Sequence, residues 1–153
     1  MIRNSTGSSS SSSKLVIQVH PVQRGNPILK YFHLVEWRIN DDIIPDYVMG
    51  STCAIFLSLK YHLLAPKHAE RRIAEVGKNF RLRTLIVLVD DTSNTMPLLE
   101  LNRLCFIADF TLVLTWSNLE CARYIETFRH YEDKPSTSIQ VNYSTHQHSN
   151  LVH

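Results

Sequence analysis

The residues able to do chemistry gather in the stretch from Pro45 to Arg72, PDYVMGSTCAIFLSLKYHLLAPKHAERR. Phe56, Ser58, Lys60 and Tyr61 bring an aromatic face, a hydroxyl, an ammonium and a phenol close together, and Arg72 adds a guanidinium. Aromatic rings stack on unpaired bases and cations pair with phosphates, so this side-chain set suits a groove for single-stranded nucleic acid or an extended peptide. Asp46, Asp90 and Asp91 point to a different chemistry, since carboxylates converging on a divalent cation activate water for hydrolysis. Plainer roles stay open for each residue. Phe56 can pack in a core, Asn26 can satisfy turn backbone groups, Lys60 and Arg72 can be solvated charges, and acidic residues at strand ends are often loop caps.

Alternation from Cys53 to Tyr61 predicts an extended strand. Ile55, Leu57, Leu59 and Tyr61 would face the core, while Ala54, Phe56, Ser58 and Lys60 would face the ligand. Tyr61 at the strand end can bury its ring and expose its hydroxyl. Pro66 suits the first turn of a helix in which Ala69, Ile73 and Val76 keep helical spacing up to Gly77, with Arg71 and Arg72 pointing outward. Between Lys60 and Arg83 there are seven basic residues (Lys60, Lys67, Arg71, Arg72, Lys78, Arg81, Arg83) against two acidic ones, whereas Thr84 to Asp133 holds three basic against eight acidic. A solvated helix face can produce such a run, but the asymmetry favours a localised polyanion-binding face, with Lys78, Arg81 and Arg83 supporting the groove.

Before this stretch, Leu15 to Val19 reads as a first strand stopped by Pro21, and Gln23 to Pro27 as a turn in which Gly25 permits positive φ. Ile28 to Ile39 fits either a strand or irregular packing around Trp37, and Asp46 to Gly50 a short strand turning at Gly50 and Ser51. After it, Leu82 to Val89 is an apolar run expected to be covered on both faces. Leu98, Leu101, Leu104, Cys105 and Ala108 keep helical spacing, and Thr111 to Trp116 is a second buried strand. Ser117-x-x-Glu120 is a capping box opening a helix whose apolar stripe runs through Ala122, Ile125 and Phe128. Alternating strands and helices from Cys53 onward predict an α/β fold with parallel pairing, and the early strands are expected to add antiparallel edges.

The chain has 153 residues, 44% hydrophobic and 20% charged, with formal net charge +2, which suits one soluble domain. No apolar run approaches the ~20 residues of a membrane span, and no secretory signal is present, so an intracellular protein is expected. Cys53, Cys105 and Cys121 are odd in number and lie in apolar surroundings, which reads as buried reduced thiols rather than zinc ligands. Residues 1–13, with the serine run Ser8 to Ser13, are expected to form a disordered leader, residues 14–135 one domain, and residues 136–153 a disordered polar tail. His146 and His148 in that tail are too few for a metal site.

Six segments in fixed order, QRGNP, DYVMG, STCAIFLSLKYH, GKNFRLRTLIVLVD, CFIADFTLVLTWS and ARYIETFRHYEDKP, resemble the central domain of the excision repair cross-complementing group 1 family over Leu15 to Pro135. That family is the non-catalytic subunit of an endonuclease whose catalytic subunit is the xeroderma pigmentosum group F nuclease. The resemblance implies a nuclease-like mixed sheet flanked by helices and a groove that contacts DNA and receives a segment of the scaffold protein xeroderma pigmentosum group A. Matched by motif, the groove positions are Asn26, Phe56, Ser58, Lys60, Tyr61, Leu64 and Arg72. Two positions depart: Val22 stands where an arginine precedes QRGNP, and His68 where the family can have a tyrosine. Relatives continue into a tandem helix-hairpin-helix domain that pairs with the nuclease, and residues 136–153 are too few to build it. A fragment, splice product or truncated gene is therefore expected, with nuclease pairing a property of full-length relatives.

Nucleases of the group F type carry G-D-Y followed by E-R-K-x-x-x-D, whereas this chain keeps Asp46 and has Ile55, Phe56 and Leu57, then Tyr61, at the later positions. One carboxylate does not make that metal site. The expectation is a non-catalytic, cofactor-free domain that binds single-stranded or junction DNA and docks a scaffold peptide in nucleotide excision repair, in the nucleus. The alternatives are a metal-dependent nuclease using Asp46 with Asp90 or Asp91, and a truncated product without a repair role.

Overall fold

A computed structural model describes residues 15–132. The leader and the polar tail, with His146 and His148, lie outside the described residues. The described chain forms six strands, β1 (Val16–Val19), β2 (Glu36–Ile39), β3 (Tyr47–Met49), β4 (Thr52–Ser58), β5 (Leu82–Leu88) and β6 (Thr111–Thr115), and four helices, α1 (Leu59–Leu64), α2 (His68–Val76), α3 (Met96–Ala108) and α4 (Asn118–Glu132). The strands make one sheet in the order β2-β1-β3-β4-β5-β6. β4, β5 and β6 run parallel, as the strand–helix alternation predicts, and β3 pairs antiparallel with both β4 and β1. The outermost early strand departs from expectation, because β2 runs parallel to β1. The Ile28 to Ile39 segment takes both forms left open for it: a 3-10 turn over Pro27–Tyr31, then β2.

Two apolar layers sandwich the sheet. On one side Ala54 and Ile86 pack with Ile28, Tyr47, Ala122 and Ile125 beneath α4 and the Pro27–Tyr31 turn. On the other, Ile55, Leu57, Leu85 and Val87 pack with Ala69, Ile73, Leu101 and Cys105 beneath α2 and α3. Phe56 packs against the first layer. The face of β4 read from the sequence as ligand-facing is therefore core, because β4 lies inside the sheet with helical cover on both sides. The strand also stops three residues early. Ser58 takes extended backbone and its Oγ accepts the Tyr61 N–H at 3.3 Å, capping α1, so Leu59, Lys60 and Tyr61 follow a helical period rather than strand parity.

Other boundaries follow ordinary cap chemistry. α2 begins at His68, with Pro66 in the preceding turn, and ends at Gly77 with φ +63°. Ser117 Oγ accepts the Glu120 N–H at 3.1 Å, and the Glu120 carboxylate reaches back to the Trp116 N–H at 3.2 Å, which realises the predicted box one residue wider. Positive φ occurs at Gly50 and not at Gly25. At Gly50 a Cβ would stand 2.6 Å from Glu132 Cγ, so the turn that feeds β4 tolerates no side chain. All three cysteines are free and buried, and burial pushes the Cys53 thiol up to about 12 and Cys105 to about 11. Among the described residues, no helix is long and apolar enough to cross a membrane.

Candidate DNA and peptide groove

Asp46 organises the site. It precedes β3 and is 3% exposed, and each of its carboxylate oxygens has a partner. Oδ2 accepts the Phe56 N–H at 2.8 Å, and Oδ1 accepts Arg72 Nη2 at 3.1 Å. The same Arg72 nitrogen donates to the Ile44 carbonyl at 2.8 Å, and Nη1 meets Glu75 Oε2 at 2.6 Å. Burial works against the Arg72 charge, but the Asp46 and Glu75 carboxylates outweigh it and hold the guanidinium more firmly protonated than usual. Arg72 therefore does not point outward, as its place in the basic run suggested. Its side chain is only 14% exposed because α2 lies across the face of the sheet on which Asp46 projects.

Beside this pair, α1 leaves the carboxyl end of β4. Ser58 Oγ donates to Asp90 Oδ2 at 2.5 Å, and the Lys60 N–H donates to Asp90 Oδ1 at 2.8 Å. Asp90, at the end of the neighbouring parallel strand, thus fastens the first turn of α1. Asp91 Oδ1 accepts the Ser93 hydroxyl and N–H, which hold its carboxyl below the usual range. Among the described residues, no three potential ligand side chains gather for a metal ion.

Tyr61 is 47% exposed and Leu64 84% exposed, so α1 presents both to solvent. The parity argument that buried Tyr61 fails because the strand has ended. Its ring instead stands edge-on to His68, with centroids 5.1 Å apart and planes at 89°. Burial and the flanking Arg71 and Arg72 lower the His68 pKa, so the ring is neutral at pH 7 and can act as an aromatic wall. Asn26 is held in its turn: Oδ1 accepts the Ile28 N–H at 3.0 Å, and Nδ2 donates to Gln23 Oε1 at 2.8 Å. Gln23 Oε1 also accepts the Tyr47 hydroxyl at 3.0 Å. Asn26, Gln23 and Tyr47 thus form one hydrogen-bonded cluster and Asp46, Phe56 and Arg72 another, the two meeting only where Asp46 precedes Tyr47 in the chain, with Ser58 and Tyr61 on the adjoining segment. Val22 lies on the surface at 68% exposure.

The supporting cations fall elsewhere. Thr52 registers with Leu82 and Ser58 with Leu88, so Lys78, Arg81 and Arg83 sit at the amino ends of β4 and β5, ~20 Å of strand from Ser58 and Lys60. Arg83 is 8% exposed, donates to the carbonyls of Gly77 at 2.5 Å and Asp109 at 3.2 Å, and lies 5.0 Å over the Phe110 ring. Arg81 faces Ser51 and Glu132, and Lys78 is exposed. One basic run in sequence thus serves two ends of the sheet. Near α1 the exposed cations of the basic run are Lys60, Lys67 and Arg71, the last two outside the motif-matched set, and Arg24 and Lys30 are exposed beside Asn26.

Glu132 supports the far end. It accepts the Ser51 N–H at 2.9 Å, the Ser51 hydroxyl and Thr52 Oγ1 at 2.9 Å. Burial pushes its carboxyl up, but these bonds and Arg81 outweigh burial and hold it below its ordinary value of 4.5. A carboxyl lowered in the folded state stabilises above the unfolded value, and that stability is lost as pH falls through the folded one. Glu132→Gln is therefore expected to cost on the order of 1.5 kcal/mol at pH 7 in urea unfolding. Repeating the titration at pH 3 should show the difference shrinking; a constant gap would mean that charge is not its source.

Residues 14–135 match the family described as the binding domain of DNA repair protein Ercc1 (rad10/Swi10). Over 150 residues the chain is 43% identical to the DNA excision repair protein ERCC-1 of Arabidopsis thaliana, covering 97% of this chain and 36% of that protein. Over 130 residues it is 43% identical to the mating-type switching protein swi10 of Schizosaccharomyces pombe, covering 79% of this chain and 51% of that one. The chain thus spans between about a third and a half of these relatives' lengths. Among solved structures, XPF from Aeropyrum pernix in complex with DNA is similar at TM-score 0.68 and 12% identity, covering 79% of this chain and 66% of that one. The nuclease-like fold is thereby shared at an identity that speaks for fold alone.

Proposed function

Since the chain belongs to the Ercc1/Rad10/Swi10 family through its binding domain, we propose that it is a non-catalytic module of a structure-specific endonuclease of nucleotide excision repair. It binds single-stranded or junction DNA through the surface carrying Lys60 and Tyr61 and works in the nucleus beside an XPF-type nuclease. The observation that carries this reading is the state of Asp46. In the position where a nuclease of this fold offers a carboxylate to metal, both oxygens are engaged by Arg72 and the Phe56 N–H. Asp90 is likewise committed to Ser58 and Lys60. A carboxylate already compensated by a guanidinium is a poor ligand for a divalent cation, whereas the adjoining ammonium and exposed aromatic ring suit phosphates and unpaired bases.

The same surface supports docking of a short extended peptide of the scaffold type, because Leu64 and Tyr61 present apolar area beside the His68 ring. Domain limits at residues 14–135 belong to this proposal.

The test is fluorescence anisotropy of a labelled single-stranded oligonucleotide and a splayed-arm duplex across a salt series, in EDTA and in magnesium. Binding is expected to survive EDTA, with no cleavage of either substrate in magnesium or manganese. Lys60→Ala/Lys67→Ala should lower the single-strand salt slope by roughly 0.7 for each lost phosphate contact. Metal-dependent cleavage would overturn the non-catalytic reading, and an unchanged slope would remove the DNA groove from α1.

A further inference from the structure

We infer that the cavity between the Leu34–Val35 turn and the end of α4 is a receptor for the cationic side chain of an arginine or lysine in a peptide segment, with Glu126 as its anion. Glu126 lies in the core-facing stripe of α4, one turn after Ala122, and is 1% exposed. Its Oε2 accepts the Leu34 N–H at 2.6 Å and the Val35 N–H at 2.9 Å, which fixes the orientation of the carboxylate. Its Oε1 is buried and has no hydrogen-bond partner. Buried Asp46 has Arg72 and Glu132 has Arg81, but among the described residues no cation pairs with Glu126. A buried anion satisfied on one oxygen alone is costly unless a donor reaches the other.

Glu126 also forms part of the wall of a cavity of about 350 Å³ with Leu15, Leu34, Val35, Thr127, Tyr131 and the exposed His130. That volume lies at the lower end for ligand sites, which run from ~300 to 1,000 Å³. The apolar wall suits an alkyl stem. A guanidinium or ammonium at its end would give the carboxylate the charge-assisted donor it lacks, as in snorkelling side chains read in reverse. Leu34 at 71% and Tyr131 at 46% exposure flank the mouth and leave it accessible. The site lies on the α4 side of the sheet, apart from α1 and α2 and so away from the surface carrying Lys60 and Tyr61.

The experiment titrates the isotope-labelled chain with acetyl-Leu-Arg-Leu-amide and, as neutral control, acetyl-Leu-Gln-Leu-amide, following the Leu34 and Val35 amides by NMR. The arginine peptide should give saturable shifts at both amides, with affinity at least about tenfold above the glutamine peptide. Glu126→Gln keeps an oxygen for the two N–H groups while turning a donor toward the cavity, so it should remove that preference with little change in the rest of the spectrum. Leu34→Arg, at an exposed site that does not threaten folding, should weaken the peptide by placing a cation at the mouth. Unsaturable shifts, equal response to the two peptides, or unaltered binding in Leu34→Arg would overturn the inference and assign Oε1 to ordered water.

Discussion

Asp46→Ala is expected to destabilise the domain by about 3 kcal/mol, at the lower end of the range for breaking a buried charge pair because Arg72 keeps some exposure. Three groups lose at once. The Phe56 N–H in the middle of the sheet loses its acceptor, Arg72 keeps only Ile44 and Glu75, and the segment entering β3 keeps only the Ile44 carbonyl as its tie to α2 through Arg72. Asp46→Asn retains an acceptor for Phe56 and should cost less. Since native domains carry only about 5–15 kcal/mol of stability, the alanine variant should show a clear drop in urea midpoint at constant m-value. A double-mutant cycle with Arg72→Met isolates the pair. An additive cycle would mean that the guanidinium and carboxylate act independently, and Arg72 would return to the list of DNA contacts.

Tyr61→Ala is expected to weaken single-stranded DNA by ~1–3 kcal/mol, the scale of a base stacked on an aromatic side chain. Because the lost contact is uncharged, the salt slope should stay constant while the whole binding curve shifts. Lys60→Ala should do the reverse in kind, flattening the slope. Tyr61 is half exposed on a short helix, so thermal stability should change by little, which separates loss of the surface from loss of fold. A Tyr61→Phe variant should bind nearly as the wild type, since stacking needs the ring. If Tyr61→Ala leaves DNA untouched but lowers affinity for a scaffold-type peptide, the groove is a protein-docking surface.

Much of the site was placed by motif order and then reassigned by packing. Ser58, Lys60, Tyr61 and Leu64 do lie together, but on a capped helix rather than along a strand, because the Ser58 hydroxyl and the Asp90 carboxylate stop the strand where alternation alone would extend it. Phe56 turned out to be half-buried core, and Asn26 to be a turn cap. Glu126 carried a visible signal, a carboxylate inside the apolar stripe of α4, yet only its contacts with the Leu34–Val35 turn, some ninety residues away, say what it does.

The sequence by itself determined the α/β class, the three parallel strands from Cys53 onward, the α4 cap and the burial of the cysteines. These follow from local periodicity and short-range hydrogen bonds, which neighbouring residues dictate. Only the tertiary structure decided which cations are free and which are spent. A run of basic residues is continuous along the chain, but a parallel strand carries its two ends ~20 Å apart. Lys60 was left open while Arg72 was drawn onto Asp46 and Arg83 onto Gly77 and Asp109. The partner of a charge is set by what the fold brings within hydrogen-bonding distance, and that is a long-range property no window of sequence contains.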